Sequence, residues 1–570
     1  MWWPFKEKYP ERHPKDADSK TYDYVVIGGG TAGCALASRL SENADISVLV
    51  LEYGPANDTW LSRNPVISSD PTIPTFGSTR WQCETMEHCD NRRSGVIRGE
   101  VLGGTSRINS MIYTRGSAAD YDAWAALGHH EWSYDKVLPY FVKSEASLDY
   151  AKSSYHGNSD SNASDAPGDG LATLSLTLNQ QRERVSSFEA FLSRKIALER
   201  KNLTICTNTT IARIGFEQGQ GGPRTDKIFF KSSDPALEKV YTAKVNKEVI
   251  VCAGAIGSPQ VLMLSGIGPG EELKKHGIDV VYDLPGVGAE LTDHLSVPVA
   301  WEVPPAESLT SMATNPFKIV KELLSYIFLR VGLLSIPVQT LALYVRSRLL
   351  NKDYTGIIST DKKSSDPLDL ISDIELIPLS TSAMDNFDES EFKLIFSKTP
   401  IFSVLATMLQ PKSRGTVRLT SSSPHDKPQV DYGVLSNPAD YTVARSAVRL
   451  TLAIAERMKT SGFPLIRNIT FPEEKQLLDV QTNSTEELDK FIRKRIRTTF
   501  HYASTCRMAP EHNETGEAPG VVDDELRVYG VKGLRVCDTS IFPRMVSGHL
   551  QAPAVMVAEK CADLIKADHH

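Results

Sequence analysis

The stretch Tyr22-Asp-Tyr-Val-Val-Ile27-Gly28-Gly-Gly30-Thr-Ala-Gly33 decides the fold of this chain. A short apolar, β-branched run stops at glycines, as a buried parallel strand does. Thr31 to Leu40 then carries small and apolar residues at helical spacing, and Ile46 to Leu51 reads as a second strand, so the N-terminus predicts a βαβ unit. The glycines fit G-x-G-x-x-G. Gly28 permits the tight turn, Gly30 lets the backbone approach a pyrophosphate, and Gly33 lets helix and strand pack closely, with the helix N-terminus facing the phosphates. Glu52 comes 19 residues after Gly33, where a carboxylate accepts from a ribose 2′-OH and would repel a 2′-phosphate. With strand before, helix after and acid in place, the fingerprint is strong, although it does not separate FAD from NAD.

The rest of the chain narrows the function classes. At 570 residues there is material for three or four folding units at about 150 residues each. Hydrophobic residues at 41% and charged residues at 23% are globular values. Net charge is −7 with dispersed basic residues, and the one dense cluster, Arg493-Lys494-Arg495-Ile496-Arg497, reads as decoration of a helix, so no nucleic-acid partner is expected. Eight cysteines do not make a disulfide framework. Cys34, Cys252, Cys537 and Cys561 read as buried thiols, while Cys83 and Cys89 either close a small loop or stay free. No Cys/His spacing suggests zinc, so no metal site is expected.

The opening Met-Trp-Trp-Pro-Phe-Lys lacks the apolar region of a signal peptide, which points to an intracellular protein. Seven Asn-x-Ser/Thr sequons (Asn57, Asn162, Asn202, Asn208, Asn468, Asn483, Asn513) pull toward a secreted mature form. The most apolar stretch, Phe317 to Leu350, contains Arg330 and Pro337. It is expected to form a buried helix or two beneath an apolar substrate channel rather than a transmembrane segment.

Further strand candidates are Asn202-Leu-Thr-Ile-Cys206, Val249-Ile-Val-Cys252 and, very late, Leu534-Arg-Val-Cys-Asp538. Polar loops are expected at Lys152–Gly170 and Lys352–Asp369, a strand at Ser413–Leu419 and an amphipathic helix at Tyr441–Met458. The pattern predicts a Rossmann-like nucleotide domain (α/β) assembled from 22–150, 202–295 and 500–566. A second domain (α+β) takes 151–201 and 296–499.

Two of the thirteen histidines stand out: His501 in Phe-His-Tyr-Ala-Ser-Thr-Cys506 and His549 in Ser-Gly-His-Leu-Gln-Ala-Pro553. An imidazole with an unperturbed pKa of about 6.5 can pass protons at neutral pH. By position alone, each could equally be a structural histidine. His294 reads as a residue that caps or packs.

Three long blocks resemble the glucose–methanol–choline (GMC) flavoprotein oxidoreductases, most closely the aryl-alcohol-oxidase-like members. The first runs from Arg98-Gly-Glu-Val-Leu-Gly-Gly-Thr-Ser-Arg-Ile-Asn109 through Gly116, Trp124 and Trp132 to Phe141. The second is Gly254-Ala-Ile-Gly-Ser-Pro-Gln-Val-Leu-Met-Leu-Ser-Gly-Ile-Gly-Pro269, followed by Asp293-His294. The third covers His501–Met508, Val521–Asp523 and Leu534–Ile565. The resemblance implies FAD as cofactor and a substrate domain built on an antiparallel sheet. It implies that Thr31, Ala32 and Glu52 bind the ADP half, that Asn109, Ser110, Met111 and Ile112 line the flavin, and that Ile211 meets the adenine through its backbone. Asp538, Leu550 and Gln551 would hold the ribitol and ring, and His501 and His549 would be the catalytic pair.

Three departures from the family's pattern stand out: Glu100 where a basic residue or Asn is usual, Glu290 in place of an Asn before Asp-His, and Ile108 where some members carry a flavin-linked histidine. Non-covalent FAD is therefore expected. The implied reaction oxidises the CH–OH group of a small apolar or aromatic alcohol by hydride transfer to flavin N5. His501 would be the base, and oxygen or another electron acceptor would complete the cycle. The alternative is a lyase or cyclase of the same family that keeps FAD structurally.

Overall fold

The computed structural model describes residues 8–69, 77–148, 170–219, 221–310, 315–358, 364, 366–383, 399–469, 484–512 and 518–569. The polar loop at 152–170, apart from Gly170, lies outside these residues, as do the sequons at Asn162, Asn483 and Asn513.

Lys20–Ile27 is flanked in parallel by Val48–Leu51 on one side and Tyr241–Val251 on the other, and Leu203–Cys206 adds to Val48–Leu51. Tyr24–Ile27, Val48–Leu51 and Val249–Val251 are buried throughout, which is why these segments read as continuous apolar runs. Tyr241–Val251 is shared along its length. Tyr241 to Lys244 pair antiparallel with the hairpin strand Gly222–Ser232, while Val249 to Val251 pair in parallel with Leu534–Val536. A strand from the C-terminus thus completes a sheet begun at residue 20.

Helix Thr31–Leu40 packs against the C-terminal helix Gln551–Asp568. Pro553 is tolerated there because the first-turn N–H groups have no intrahelical partner. Arg39 Nε and Glu559 Oε2, 2.7 Å apart, tie the two helices together, with the Glu559 side chain fully buried.

A second sheet is antiparallel throughout. Leu295–Glu302, Ile401–Met408, Ile374–Leu379, Leu341–Val345 and Gly170–Thr173 follow one another. Strand alternation divides its two faces. Ile374, Leu376, Ala406 and Met408 share a core with Ala444, Ala447 and Val448 of helix Asp440–Thr460. Glu375, Ile377, Leu379, Leu405 and Thr407 face the main cavity.

The Phe317–Leu350 expectation is corrected. Helix Pro316–Leu329 buries only Tyr326, leaving Phe317 88% and Phe328 76% exposed. Tyr326 anchors the helix, donating its hydroxyl to the Arg182 carbonyl and resting its ring against Trp60. Phe317, Val320, Leu324 and Phe328 follow helical spacing on the opposite face. Only Pro337, Val338 and Gln339 of this stretch line the cavity. The strand at Ser413–Leu419 narrows to Thr416–Arg418, paired with Gln429–Asp431. All eight cysteines are free thiols, Cys83 and Cys89 included. Among the described residues no helix is long and apolar enough to cross a membrane.

Candidate active site

A cavity of about 850 Å³ lies between the parallel sheet and the apolar face of the antiparallel one. That size is within the roughly 300–1,000 Å³ of small-molecule sites. Its wall includes Gly28, Gly30, Thr31, Ala32 and Glu52 from the N-terminus, together with His501 and His549 from the C-terminus.

The three fingerprint glycines have separate physical reasons. Gly28 has φ +98°, and a Cβ there would stand 2.6 Å from the Cys252 carbonyl oxygen. A Cβ on Gly33 would sit 1.9 Å from the Gly28 carbonyl oxygen, so helix and strand could not meet. Gly30 differs. Its φ is −81°, and a Cβ would meet only Cys252 O at 3.8 Å and Gly104 Cα at 3.9 Å. Protein packing does not require glycine at this position, which leaves room for close approach by the phosphates of a dinucleotide. Glu52 accepts from the Gly29 and Gly54 amides at 2.8 and 2.9 Å. Burial pushes its carboxyl up to about 7, against those two donors. The residues present therefore fit FAD, which Glu52 would hold at the ribose and Gly30 would admit at the phosphates.

Residues far apart in sequence meet where the flavin would lie. Asn109 Nδ2 donates to Gln551 Oε1 at 2.6 Å. Asn109 Oδ1 in turn accepts from the Met111 amide at 3.0 Å and from buried Arg184 at 2.7 Å. Asn109, Ser110, Ile112, Ile211, Asp538, Leu550 and Gln551 all reach the cavity wall. Gly33 and Met111 do not. Met111 is fully buried with φ +62°, and its carbonyl accepts from the Thr177 amide. Asp538 is committed to protein partners, accepting from the Gly254 amide (2.9 Å), Ser258 Oγ (2.6 Å) and the Ser540 amide (2.8 Å). It thereby caps helix Gly254–Leu264 at the wall.

The departures find local partners. Glu100 pairs with Arg98 at 2.8 Å and with Lys427, offsetting two cations at the wall. Glu290 has φ +57° and pairs with Arg414 at 3.3 Å. Ile108 lines the cavity as a hydrocarbon side chain.

His501 and His549 meet edge to face, 4.7 Å between ring centroids. His549 Nε2 lies 3.2 Å from Glu375 Oε1, and its backbone N–H donates to Thr114 Oγ1 at 2.8 Å. His501 follows Phe500, whose φ of +63° is strained for a non-glycine residue. Asp293 holds that turn, accepting from the His501 amide at 2.8 Å and from Thr498 Oγ1. His501 Nδ1 is 2.9 Å from His294 Nδ1 and 3.2 Å from Thr499 Oγ1.

Burial, then the neighbouring His549 and His294, push the His501 pKa well below its ordinary value. Burial lowers His294 to about 4 and raises Asp293 to about 7. Burial would push Glu375 up, but His549, with Tyr344 and His294, holds it below the usual carboxylate range.

Sequence reading missed Glu375 and Thr499 and gave His294 a packing role. A lone acid in the apolar run Ile374–Leu379 was the available signal for Glu375. Nothing local marks Thr499.

Two family models described as GMC oxidoreductase match residues 22–296 and 411–558. The oxygen-dependent choline dehydrogenase of Proteus mirabilis is 31% identical, over 96% of this chain and 96% of that protein. That of Brucella suis is 32% identical over 95% of each. In fold, a formate oxidase superposes with a TM-score of 0.81 at 24% identity, over 97% of this chain and 99% of its own. A fungal aryl-alcohol oxidase does so at 0.77 and 24%, over 96% and 99%. With these matches spanning nearly its whole length, the chain belongs to the GMC oxidoreductases, FAD-dependent enzymes that oxidise alcohols.

Proposed function

We propose that this enzyme oxidises the CH–OH group of a small apolar or aromatic alcohol, with His501 as general base and His549 holding the alcohol oxygen. The observation that carries the reading is the edge-to-face histidine pair set beside Ile377, Leu379 and Leu405. Bound FAD supplies the two-electron acceptor for the hydrogen on the alcohol carbon. His501, kept unprotonated at neutral pH by burial, is able to take the hydroxyl proton. His549 donates Nε2–H to the Glu375 carboxylate, so holding the alcohol oxygen while His501 takes its proton requires a second N–H, at His549 Nδ1. With Ile108 at the cavity wall, we infer that FAD is held without a covalent link. Oxygen or another acceptor would then take the electrons, in keeping with the oxygen dependence of the choline dehydrogenase relatives.

An apolar alcohol suits the wall beside Glu375, where Ile377 and Leu379 are aliphatic and the carboxylate is taken up by His549. Phe500 and Tyr502 line the same cavity, and a quaternary ammonium is best met by aromatic faces, so choline is the discriminating substrate. The test is anaerobic mixing of the yellow holoenzyme with benzyl alcohol, hexan-1-ol, choline and glucose. Bleaching by the first two and not the others is expected. Bleaching by choline alone, or by none of the four, would overturn the substrate class.

A further inference from the structure

We propose that His294 is a positioning residue that fixes His501 as its Nδ1–H tautomer, leaving the Nε2 lone pair to take the substrate proton. This rests on the proposed role of His501 as the base.

His294 Nε2 lies 3.0 Å from the Val546 carbonyl oxygen. A carbonyl only accepts, so Nε2 must carry a hydrogen. The ring is fully buried, and burial keeps it neutral against the pull of Glu375 and then of the Val546 and Leu409 carbonyls. A neutral imidazole has one N–H, so His294 Nδ1 is a lone pair. The 2.9 Å contact between His294 Nδ1 and His501 Nδ1 then needs its hydrogen from His501. Thr499 leads independently to the same assignment. Its hydroxyl donates to the His294 carbonyl at 2.9 Å, so it can only accept from His501 Nδ1, 3.2 Å away. Both neighbours of that nitrogen are acceptors. His501 donates from Nδ1, and its Nε2 keeps the lone pair.

The arrangement suits the reaction's proton balance. As the alcohol is oxidised its O–H bond breaks and an N–H bond forms at His501 Nε2, while the C–H electron pair leaves to the flavin. The imidazolium so formed keeps its Nδ1–H on His294, and no second proton has to move. The contact also couples the two histidines. Val546 belongs to the Val546-Ser-Gly-His549 segment, so the ring of His294 bridges the side chain of His501 and the loop that carries His549.

The test reads the tautomer directly, on holoenzyme labelled with ¹⁵N in the histidine rings. At neutral pH, His501 is expected to show its single one-bond N–H coupling at Nδ1. A ¹⁵N–¹⁵N scalar coupling to His294 Nδ1 should appear across the hydrogen bond. His294→Leu removes the acceptor and should populate the Nε2–H tautomer, slowing anaerobic flavin reduction by benzyl alcohol about tenfold or more. His294→Asn keeps an acceptor oxygen near the Nδ1 position and should retain the Nδ1–H signal. A wild-type His501 protonated on Nε2 or on both nitrogens overturns the proposal. So does a His294→Leu spectrum with Nδ1–H unchanged. If the leucine variant fails to hold FAD, the wild-type coupling and the asparagine spectrum decide. If no alcohol bleaches the flavin, the functional reading fails and the spectrum still decides the tautomer.

Discussion

Glu375 Oε1 lies 3.2 Å from His549 Nε2, so an acid on the antiparallel sheet is bonded to a histidine next to the C-terminal helix that packs on Thr31–Leu40. Glu375 is 1% exposed and stands opposite Tyr344 and Thr407 in the sheet register. A buried carboxylate is costly without such a partner. The contact therefore fixes the angle of the His549 ring and draws the two layers together at the reacting centre.

Glu375→Gln keeps the shape and loses the charge, whereas Glu375→Leu loses the bond. Hydrogen bonds to charged groups contribute about 1.5–3 kcal/mol. Flavin reduction under anaerobic stopped flow should therefore slow roughly tenfold in the glutamine variant and roughly a hundredfold in the leucine variant. Both should retain FAD. A rise in KM with the limiting reduction rate unchanged would remove Glu375 from the chemistry.

The glycines separate ligand from fold. Gly30→Ala meets only ordinary contacts in the protein, so the apoprotein should melt as wild type while the FAD content on purification falls. Gly33→Ala collides with the Gly28 carbonyl and should lower the melting temperature of the apoprotein itself. Absorbance ratios at 450 and 280 nm, read with apoprotein melting curves, check both. Equal FAD content in the Gly30 variant and wild type would contradict the phosphate role.

Asp293 gives a pH signature. Its folded-state pKa is raised from 3.8 to about 7, so the fold binds this proton more tightly than the unfolded chain does. The associated stability is fully present below the unfolded value and is lost as pH rises through about 7. The melting temperature should fall between about pH 4 and 7 and level off above, and Asp293→Asn should flatten part of that slope. Parallel curves for variant and wild type would show that Asp293 does not titrate there.

The exposed helix provides a stability control. Phe317→Ser and Phe328→Ser should change stability by no more than about 0.5 kcal/mol, as surface substitutions do. Tyr326→Ala should cost about 3 kcal/mol, the order expected for a buried aromatic. Chemical denaturation measures each. A large loss at Phe317 would restore the buried-helix reading.

The nucleotide half was legible because its signals are local. Tyr22–Ile27 announces a buried strand by composition, the glycines announce the turn, and Leu534–Val536 carries the same strand signature more than 500 residues later. The Phe317 helix was misread because apolar content says nothing about which face meets the protein, and Tyr326 alone does so here. Met111, assigned to the flavin from its block, is fully buried with a left-handed backbone and is not among the residues of the cavity wall. Glu375 is 126 residues from His501 in sequence, and only the pairing of Ile374–Leu379 with Ile401–Met408 brings it to the cavity. His294 lay in a visible Asp-His pair, but its contact with His501 Nδ1 is set by the turn that Asp293 holds around strained Phe500.

The central claim, that His501 removes the alcohol proton, is tested most directly by single-turnover flavin reduction in His501→Ala. The variant should purify yellow with full FAD and the wild-type melting temperature. Its anaerobic bleaching by benzyl alcohol should be slower by about 10²- to 10⁴-fold, the usual contribution of a positioned general base. Reduction at the wild-type rate by a fully flavinated variant would contradict the account.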